Sequence, residues 1–335
     1  MSTLSALHGV SSVLVSNLFV RLPIPAGNGD LSKQTFIVTG SNTGLGFEAS
    51  RHLVRLGVGK LIMGVRTVSK GEAAKKELLT SASKSETSIE VWPIDMDSYD
   101  SIKAFTSRAS QLPRIDGVLA NAGIMTTKFT LSEGNESTLN VNVISTFLLY
   151  LLLLPKMRES GQQTGNPCRF VIPNSALHYI APLAELDPKG GSIMDRLNDP
   201  KKADMAGRYP LSKLLVIYAV REFADRSKAS DRGQIILNTP NPSFCKSNLA
   251  RESQGGAGFK MAEKLLARST EEGSRTLVDG LFAGQNSNGA YLTNCHVQTP
   301  ARHVTGQWGK QVQKAFFKEL VDKLEKIQPG VSANI

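Results

Sequence analysis

The sequence predicts an α/β fold: a doubly wound parallel sheet of about seven strands, helices on both faces, in a single domain. Three observations carry this. From Thr35 onward, short β-branched apolar runs alternate with segments of helical periodicity. The runs lack polar alternation, as strands buried on both faces do. The first run passes through a glycine-rich turn directly into a helical segment.

Taken in order, the chain opens with Leu4, Leu7, Ser11, Leu14 and Leu18 at helical spacing, which predicts an amphipathic helix over residues 3–20. Two uses of it stay open: packing on the body of the protein, or docking on a membrane surface or a partner. The Pro/Gly-rich stretch Leu22–Gly29 separates this arm from the first apolar run. Strands are expected at Thr35–Thr39, Leu61–Val65, Ile89–Ile94, Ile115–Ala120, Phe170–Ile172, Ile235–Thr239 and Ala290–Thr293. Helices are expected between them at Gly46–Leu56, Lys70–Leu79, Ser98–Ser110, Glu136–Glu159, Pro210–Arg226 and Thr270–Ala283. A last amphipathic helix, Gln311–Ile327, repeats Val312, Phe316, Leu320 and Leu324 every four residues. The division is then an arm (1–34), a main α/β domain (35–294) and a helical tail (295–335).

Composition removes several classes. An apolar share of 41% with 20% charged residues excludes a disordered or fibrous chain. Cys168, Cys245 and Cys295 are odd in number and far apart, which excludes a disulfide scaffold or a CxxC-type metal site. They suit a reducing compartment, hence a cytoplasmic location, membrane-associated if the arm docks there. The net charge of +10 is diffuse, with no basic block beyond pairs such as Lys75-Lys76 and Lys201-Lys202, so no nucleic-acid partner is expected. No stretch reaches the roughly 18 uninterrupted apolar residues of a membrane span. The apolar run Phe147–Leu154 suits burial within one chain or contact with a second copy in a homodimer.

The first candidate site is the turn Thr39-Gly40-Ser41-Asn42-Thr43-Gly44-Leu45-Gly46. Glycines between a first strand and a helix allow a tight turn and let the backbone approach a pyrophosphate. The helix N-terminus adds free N–H groups and the positive end of a dipole. An NAD site carries an acidic residue roughly 20 residues further on, for the ribose 2′-hydroxyl. Here the second strand ends in Val65-Arg66, with Lys70 a turn later. Two cations suit a 2′-phosphate, so NADP(H) is expected rather than NAD. The second candidate is Tyr209-Pro210-Leu211-Ser212-Lys213, which puts a phenol and an ammonium on one helix face. The ammonium is expected to lower the phenol pKa toward the range useful for acid/base work.

These motifs, in this order, resemble the short-chain dehydrogenase/reductase family, from about Thr35 to Asn294. The chain is most similar to its retinol-dehydrogenase-like members and to fungal reductases of secondary metabolism. The resemblance implies a Rossmann-type sheet and a nicotinamide cofactor held by Gly40, Ser41, Asn42, Gly44, Leu45 and Gly46. Asp95 matches the family's adenine-contacting acid, and Asn121-Ala122-Gly123 the motif ending the fourth strand. Asn142, Ser175, Tyr209 and Lys213 match the catalytic tetrad. By resemblance, Tyr209 exchanges a proton with a carbonyl or alcohol oxygen and Ser175 hydrogen-bonds that oxygen. Lys213 bonds the cofactor ribose, and Asn142 holds a water for proton relay. The implied activity is hydride transfer between NADP(H) and a ketone or aldehyde, on a hydrophobic secondary-metabolite, retinoid-like or steroid-like molecule. The alternative of another class is a non-catalytic NADP(H)-binding sensor or scaffold.

Two departures stand out. The sixth strand leads into Pro242-Ser243-Phe244-Cys245-Lys246-Ser247, where the family has Gly at the second position and Thr at the last. Ser247 keeps a hydroxyl for the cofactor, and Ser243 is expected to alter the loop. Pro173-Asn174 precedes Ser175 and is expected to bend the end of its strand. His178 and Tyr179 suit either lining the substrate pocket or packing its loop. Phe244, Leu249, Phe259, Met261 and Leu265 give residues 249–267 an apolar character that suits a lid.

Overall fold

The computed structural model describes residues 3–81, 86–229, 232–246, 249 and 257–335. Its main sheet contains β1 (Thr35–Thr39), β2 (Lys60–Val65), β3 (Ser88–Pro93), β4 (Gly117–Leu119), β5 (Cys168–Val171), β6 (Ile235–Asn241), β7 (Tyr291–Thr293) and β8 (His296–Gln298). Their order across the sheet is 8-7-6-5-4-1-2-3. Strands β1 to β7 run parallel, and β8 returns antiparallel to β7. The eighth strand is the one departure from the expected sheet. It forms within residues expected to be wholly helical tail, because Asn294 and Cys295 take positive φ (50° and 64°) and reverse the chain.

Alternation along β1 sorts the core into two layers. Phe36 and Val38 face one side with Leu61, Met63, Leu119 and Val171. There they meet α2 (Gly44–Arg55), α3 (Val68–Ser81) and α8 (Thr270–Phe282) through Leu53, Leu78 and Leu277. Ile37 faces the other side with Ile62, Val118 and Phe170. That layer is closed by α4 (Tyr99–Ala109), α5 (Thr146–Thr164), α6 (Arg208–Ala229) and α9 (Gln307–Ile327). Period-two alternation with apolar residues on both faces is what a sheet covered on both sides requires.

Helix α5 and the segment before it are long and apolar enough to cross a membrane, yet nearly all of that stretch is buried inside the fold. Phe147–Leu151, Leu153 and Leu154 are buried among the chain's own helices, so the surface that raised the homodimer expectation is covered within one chain. Pro155 interrupts α5 and has no N–H for the carbonyl of Leu151. Asn334, near the C-terminus, donates its side-chain amide to that carbonyl at 3.0 Å. Arg158 in turn donates to the Asn334 carbonyl at 2.6 Å, fixing the end of the chain on α5.

The arm forms α1 (Thr3–Phe19), which lies on the protein body. At Gly9 a Cβ would stand 2.7 Å from Tyr179 Cβ, so this contact needs a residue without one. Arg268, 4% exposed, donates to the carbonyls of Ser16 and Val20 and to Asn294 Oδ1, capping the helix C-terminus. Packing on the body is therefore observed. The opposite side of α1 remains open, with Leu7, Leu14, Val15, Leu18 and Phe19 exposed.

Candidate active site

Between β1 and β4 the strand order reverses, and the glycine turn leaves the sheet at that point. Gly40 takes φ +63° while its N–H donates to the Gly64 carbonyl at 2.8 Å. At Gly46 any Cβ would collide with Asn121 Nδ2 and the Gly40 carbonyl. Asn121 occupies that space because its amide donates to the carbonyls of Thr39 (3.1 Å) and Gly40 (3.3 Å). Thr39 Oγ1 accepts from the Ala122 N–H at 3.0 Å, joining the end of β1 to the Asn121-Ala122-Gly123 segment. A Cβ on Gly123 would stand 3.1 Å from Asn142 Oδ1, so this segment lies against the Asn142 side chain.

The turn fits an anionic cofactor. Helix α2 begins at Gly44 after Thr43, whose side chain makes no capping bond, leaving the first N–H groups to meet a ligand. Ser41 Oγ is buried with no partner among the described residues, an orphan that a phosphate oxygen would satisfy. A cleft of about 370 Å³ opens beside it, lined by Asn42, Thr43, Gly44, Phe47, Lys70, Ala73, Ala74 and Glu77. Glu77 pairs with Arg51 at 2.8 Å, so the carboxylate on that wall already has a cation. Lys70 reaches the cleft; Arg66 stands exposed just past β2, where the sequence places it. Leu45 is half-buried at the start of α2. Asp95 follows β3 with Oδ1 accepting from the Asp97 N–H at 3.0 Å, leaving Oδ2 free of any hydrogen bond to the described residues. Ser247 lies outside the described residues.

The proposed catalytic residues are joined through backbone and side chain. Lys213, 9% exposed, donates from Nζ to the Pro173 carbonyl at 2.8 Å. Asn174 donates from Nδ2 to the Lys213 carbonyl (3.2 Å) and to Thr239 Oγ1 (3.0 Å), and its Oδ1 accepts from the Ser175 N–H (2.8 Å). The expected bend at Pro173 is not seen: past β5 the Ile172 and Asn174 N–H groups still donate to the Asn238 and Pro240 carbonyls of the β6 strand, at 3.1 and 2.7 Å, and the Pro173 carbonyl is left to Lys213. Ser175 Oγ accepts from the Leu177 N–H at 3.2 Å, and its own proton has no acceptor among the described residues. Asn142 sits in a π-helical turn, Asn140–Ser145, a distortion that often marks functional positions. Its amide donates to Ser212 Oγ at 3.1 Å, and Ser212 donates to the Tyr209 carbonyl at 2.8 Å. The hydroxyl of Tyr209 makes no hydrogen bond to a described residue.

Several expectations change here. Asn142 also exchanges two bonds with the backbone of Ile124, at 2.9 Å each, so both hydrogens of its side-chain amide are used within the protein. The Tyr209 phenol is not lowered by its neighbour. Lys213 Nζ lies 5.5 Å from the ring centroid, and burial pushes the phenol up while pulling the Lys213 ammonium down to about 8. Desolvation outweighs the pair attraction because both groups sit at low exposure. His178 packs rather than lines a pocket. Fully buried, it hydrogen-bonds the Ser175 carbonyl through Nδ1 (2.8 Å), and its Nε2 accepts from the Ala301 N–H (3.3 Å). That pairing assigns the proton to Nδ1, and burial holds the ring neutral, with a pKa down to about 3. Met261 and Leu265, on α7 (Ala257–Leu266), are 67% and 70% exposed, so these two residues of the expected lid face outward. Ser243 adopts φ +66°, a conformation that glycine takes freely and other residues rarely do.

Sequence reasoning missed Asn174, Ser212 and Thr39 as organisers of the site. Their partners lie 39 to 83 residues away along the chain, and no local pattern signals them.

Comparison with known proteins agrees with this geometry. A family model described as short chain dehydrogenase matches residues 34–166. The short chain dehydrogenase/reductase dmxR8 of Cryptosporiopsis sp. is 41% identical over 324 residues, covering 96% of this chain and 99% of the relative. The chain is a short-chain dehydrogenase/reductase. The short-chain dehydrogenase anuD of Penicillium roqueforti is 40% identical to this oxidoreductase over 329 residues, 96% of this chain and 84% of its own. Among solved structures, a short-chain dehydrogenase from Sphingobium yanoikuyae in complex with NADPH superposes with a TM-score of 0.55 at 17% identity. That match covers 90% of this chain and 96% of the other, and it supports the fold.

Proposed function

We propose that this short-chain dehydrogenase/reductase is NADP(H)-dependent and interconverts a ketone or aldehyde with its alcohol on a hydrophobic small molecule, in the cytoplasm. The observation that carries the reading is the Tyr209 hydroxyl, free of protein partners among the described residues and one helical turn from Lys213, which Asn174 ties to Ser175. Gly40, Ser41, Asn42, Gly44, Leu45 and Gly46 would hold the pyrophosphate, Arg66 and Lys70 the 2′-phosphate, and Asp95 the adenine. Asn121, Ala122 and Gly123 would shape the floor between them. The bound nicotinamide supplies or accepts the hydride. Tyr209 gives a proton to the substrate oxygen in reduction and removes one in oxidation. Ser175 donates a hydrogen bond to the same oxygen, stabilising charge as it develops there. Lys213, held by the Pro173 carbonyl, keeps a positive charge beside the ring, and Asn142 fixes Ser212 between the two. NADPH in the Sphingobium protein and the cation pair after β2 support NADP(H). Three free thiols support a reducing compartment. Half-buried Phe244 and Leu249, past β6, support an apolar substrate, with secondary metabolites, retinoids or steroids as the classes to screen.

The test is NADPH oxidation against a panel of apolar ketones, aldehydes and quinones, paired with cofactor binding. Turnover of at least one compound is expected; binding without any turnover is the sensor outcome and overturns the enzyme reading. Arg66→Ala should weaken NADP(H) about tenfold or more while leaving NAD(H) within about twofold, since a charge-assisted pair to phosphate contributes about 1.5–3 kcal/mol. Equal losses for both cofactors would contradict the assignment.

The exposed side of α1 supports contact with an anionic lipid surface as a second property. Leu14, Val15, Leu18 and Phe19 lie close along the helix, α1 contains no acidic residue, and Arg21, Lys246 and Lys264 stand exposed around its C-terminal end. The protein should float with vesicles containing phosphatidylserine, and Leu14→Glu/Leu18→Glu/Phe19→Glu should stay at the bottom of the gradient. Equal flotation of the two, or none by the unaltered protein, overturns the lipid contact.

A further inference from the structure

The N-terminal helix reaches the loop after β6 and holds it by its polar side. Ser243 Oγ donates to Asn17 Oδ1 at 2.6 Å, between residues 226 positions apart. The Asn17 amide donates to the carbonyls of Phe244 (2.6 Å) and Leu266 (2.7 Å). Asn17 therefore spends its acceptor on the one described residue of the loop that has positive φ, and its donors on the carbonyl of the next residue and on that of Leu266, the last residue of the helix Ala257–Leu266. The helix itself is fixed from below, by Arg268 on the Ser16 and Val20 carbonyls and by Asn294 Nδ2 on Ser16 Oγ at 2.9 Å.

Downstream, the loop pairs with Arg268 through backbone bonds, Arg268 N–H to the Phe244 carbonyl (2.9 Å) and Lys246 N–H to the Arg268 carbonyl (3.0 Å). Between these bonds Cys245 Sγ packs onto Gly273, where any Cβ would collide with it. The same position lies 3.1 Å from Leu45 Cδ2, so the loop rests beside the glycine turn at the start of α2. A serine in the left-handed region is disfavoured unless something holds it, whereas glycine takes that conformation at no steric cost. Here the holding group comes from the arm.

We propose that Asn17 is a positioning residue: by clamping Ser243 in its left-handed conformation, it sets the loop Pro242–Lys246 against the turn that binds the dinucleotide. The arm is then part of the cofactor site, although it lies outside the catalytic domain in sequence. This inference rests on the NADP(H) reading above.

A double-mutant cycle on the full-length chain tests it, with two readouts: the Kd for NADP+ by calorimetry, and amide hydrogen exchange over Asn241–Lys246 without ligand. In the Ser243 background, Asn17→Ala should raise the Kd about tenfold, equivalent to about 1.4 kcal/mol, and speed exchange in the loop. In the Ser243→Gly background, where the backbone needs no clamp, the same substitution should change the Kd by less than about threefold. Ser243→Ala, which leaves α1 untouched but removes the donated hydroxyl, should repeat the Asn17→Ala loss; it decides the matter if Asn17→Ala does not fold. Equal losses in both backgrounds, or no change of Kd and exchange in Asn17→Ala and Ser243→Ala, overturn the proposal. Should the unaltered protein fail to bind NADP+, the cofactor reading falls while the exchange readout still judges the clamp.

Discussion

Tyr209→Phe is expected to lower kcat/KM for carbonyl reduction by about three orders of magnitude, within the range removed with a general acid. The substitution takes away only a hydroxyl that has no hydrogen bond to a described residue, so no buried partner is orphaned by its loss. Stability should stay within about 0.5 kcal/mol of the parent and the Kd for NADP+ within about twofold, as for changes that break no interaction. Loss of turnover with retained binding separates a chemical role from a packing one. A drop in turnover of less than tenfold would remove Tyr209 from the mechanism.

The pH dependence has the same origin in burial. Desolvation pushes the Tyr209 phenol up, so it carries its proton throughout the neutral range in the cofactor-free protein. That is the form reduction needs, and the reductive rate should not rise as the pH is raised through neutrality. Alcohol oxidation needs the phenolate and should gain rate as pH increases. Measuring kcat/KM in both directions between pH 6 and pH 9 checks this, with these limits chosen to span roughly the ordinary range below a reference phenol pKa near 10. An oxidation rate that falls with rising pH already below pH 8, where Lys213 still holds its charge, would mean another group takes the proton.

How much of this was legible in the sequence depends on how local each signal is. The turn from Thr39 to Gly46 and the Tyr209/Lys213 pair are written within eight and five consecutive residues, and their spacing alone places them on a strand–helix junction and on one helix face. The strand runs were legible because burial on both faces forces them to be apolar without alternation. Asn174 was not, since its meaning lies in bonds to Lys213 and Thr239, which the fold brings to it. The sign of the Tyr209 shift was also hidden: spacing shows a neighbouring charge, but only the fold shows that both groups are desolvated. Ser243 reads as a departure in sequence. It becomes intelligible only with the distant Asn17 beside it. The tail looked like one helix because the short β8 strand, three residues long, has no periodicity to detect.

Arg208→Met is expected to destabilise the protein by about 3–5 kcal/mol, the usual cost of breaking a buried ion pair from one side. Arg208 is 1% exposed, Glu136 0% and Glu185 8%. Its Nη2 donates to Glu185 Oε1 at 3.0 Å and to the Leu197 carbonyl at 3.1 Å, and its Nε lies 3.5 Å from Glu136 Oε2. Glu136 has other support, because its carboxylate accepts from the N–H groups of Thr138 and Leu139 at 2.8 and 2.9 Å. Glu185 depends more on Arg208: burial already raises its pKa and the guanidinium opposes that rise. Without Arg208 the folded-state pKa of Glu185 must climb further above its unfolded value. A carboxyl raised in the folded state binds more protons there than when unfolded, so stability falls as pH rises through that window. The deficit of Arg208→Met should therefore be largest near pH 8 and shrink toward pH 5, as urea unfolding at the two pH values would show. Arg208→Met/Glu185→Leu should recover most of the loss, since apolar groups often replace a buried pair at little cost. If it does, this ion pair contributes little net stability, and its remaining effect is on the first turn of α6, where Tyr209 follows Arg208 directly. A stable double variant with lowered kcat would assign the pair to orientation of the phenol, while a stable variant with unchanged kcat would assign it to neither role.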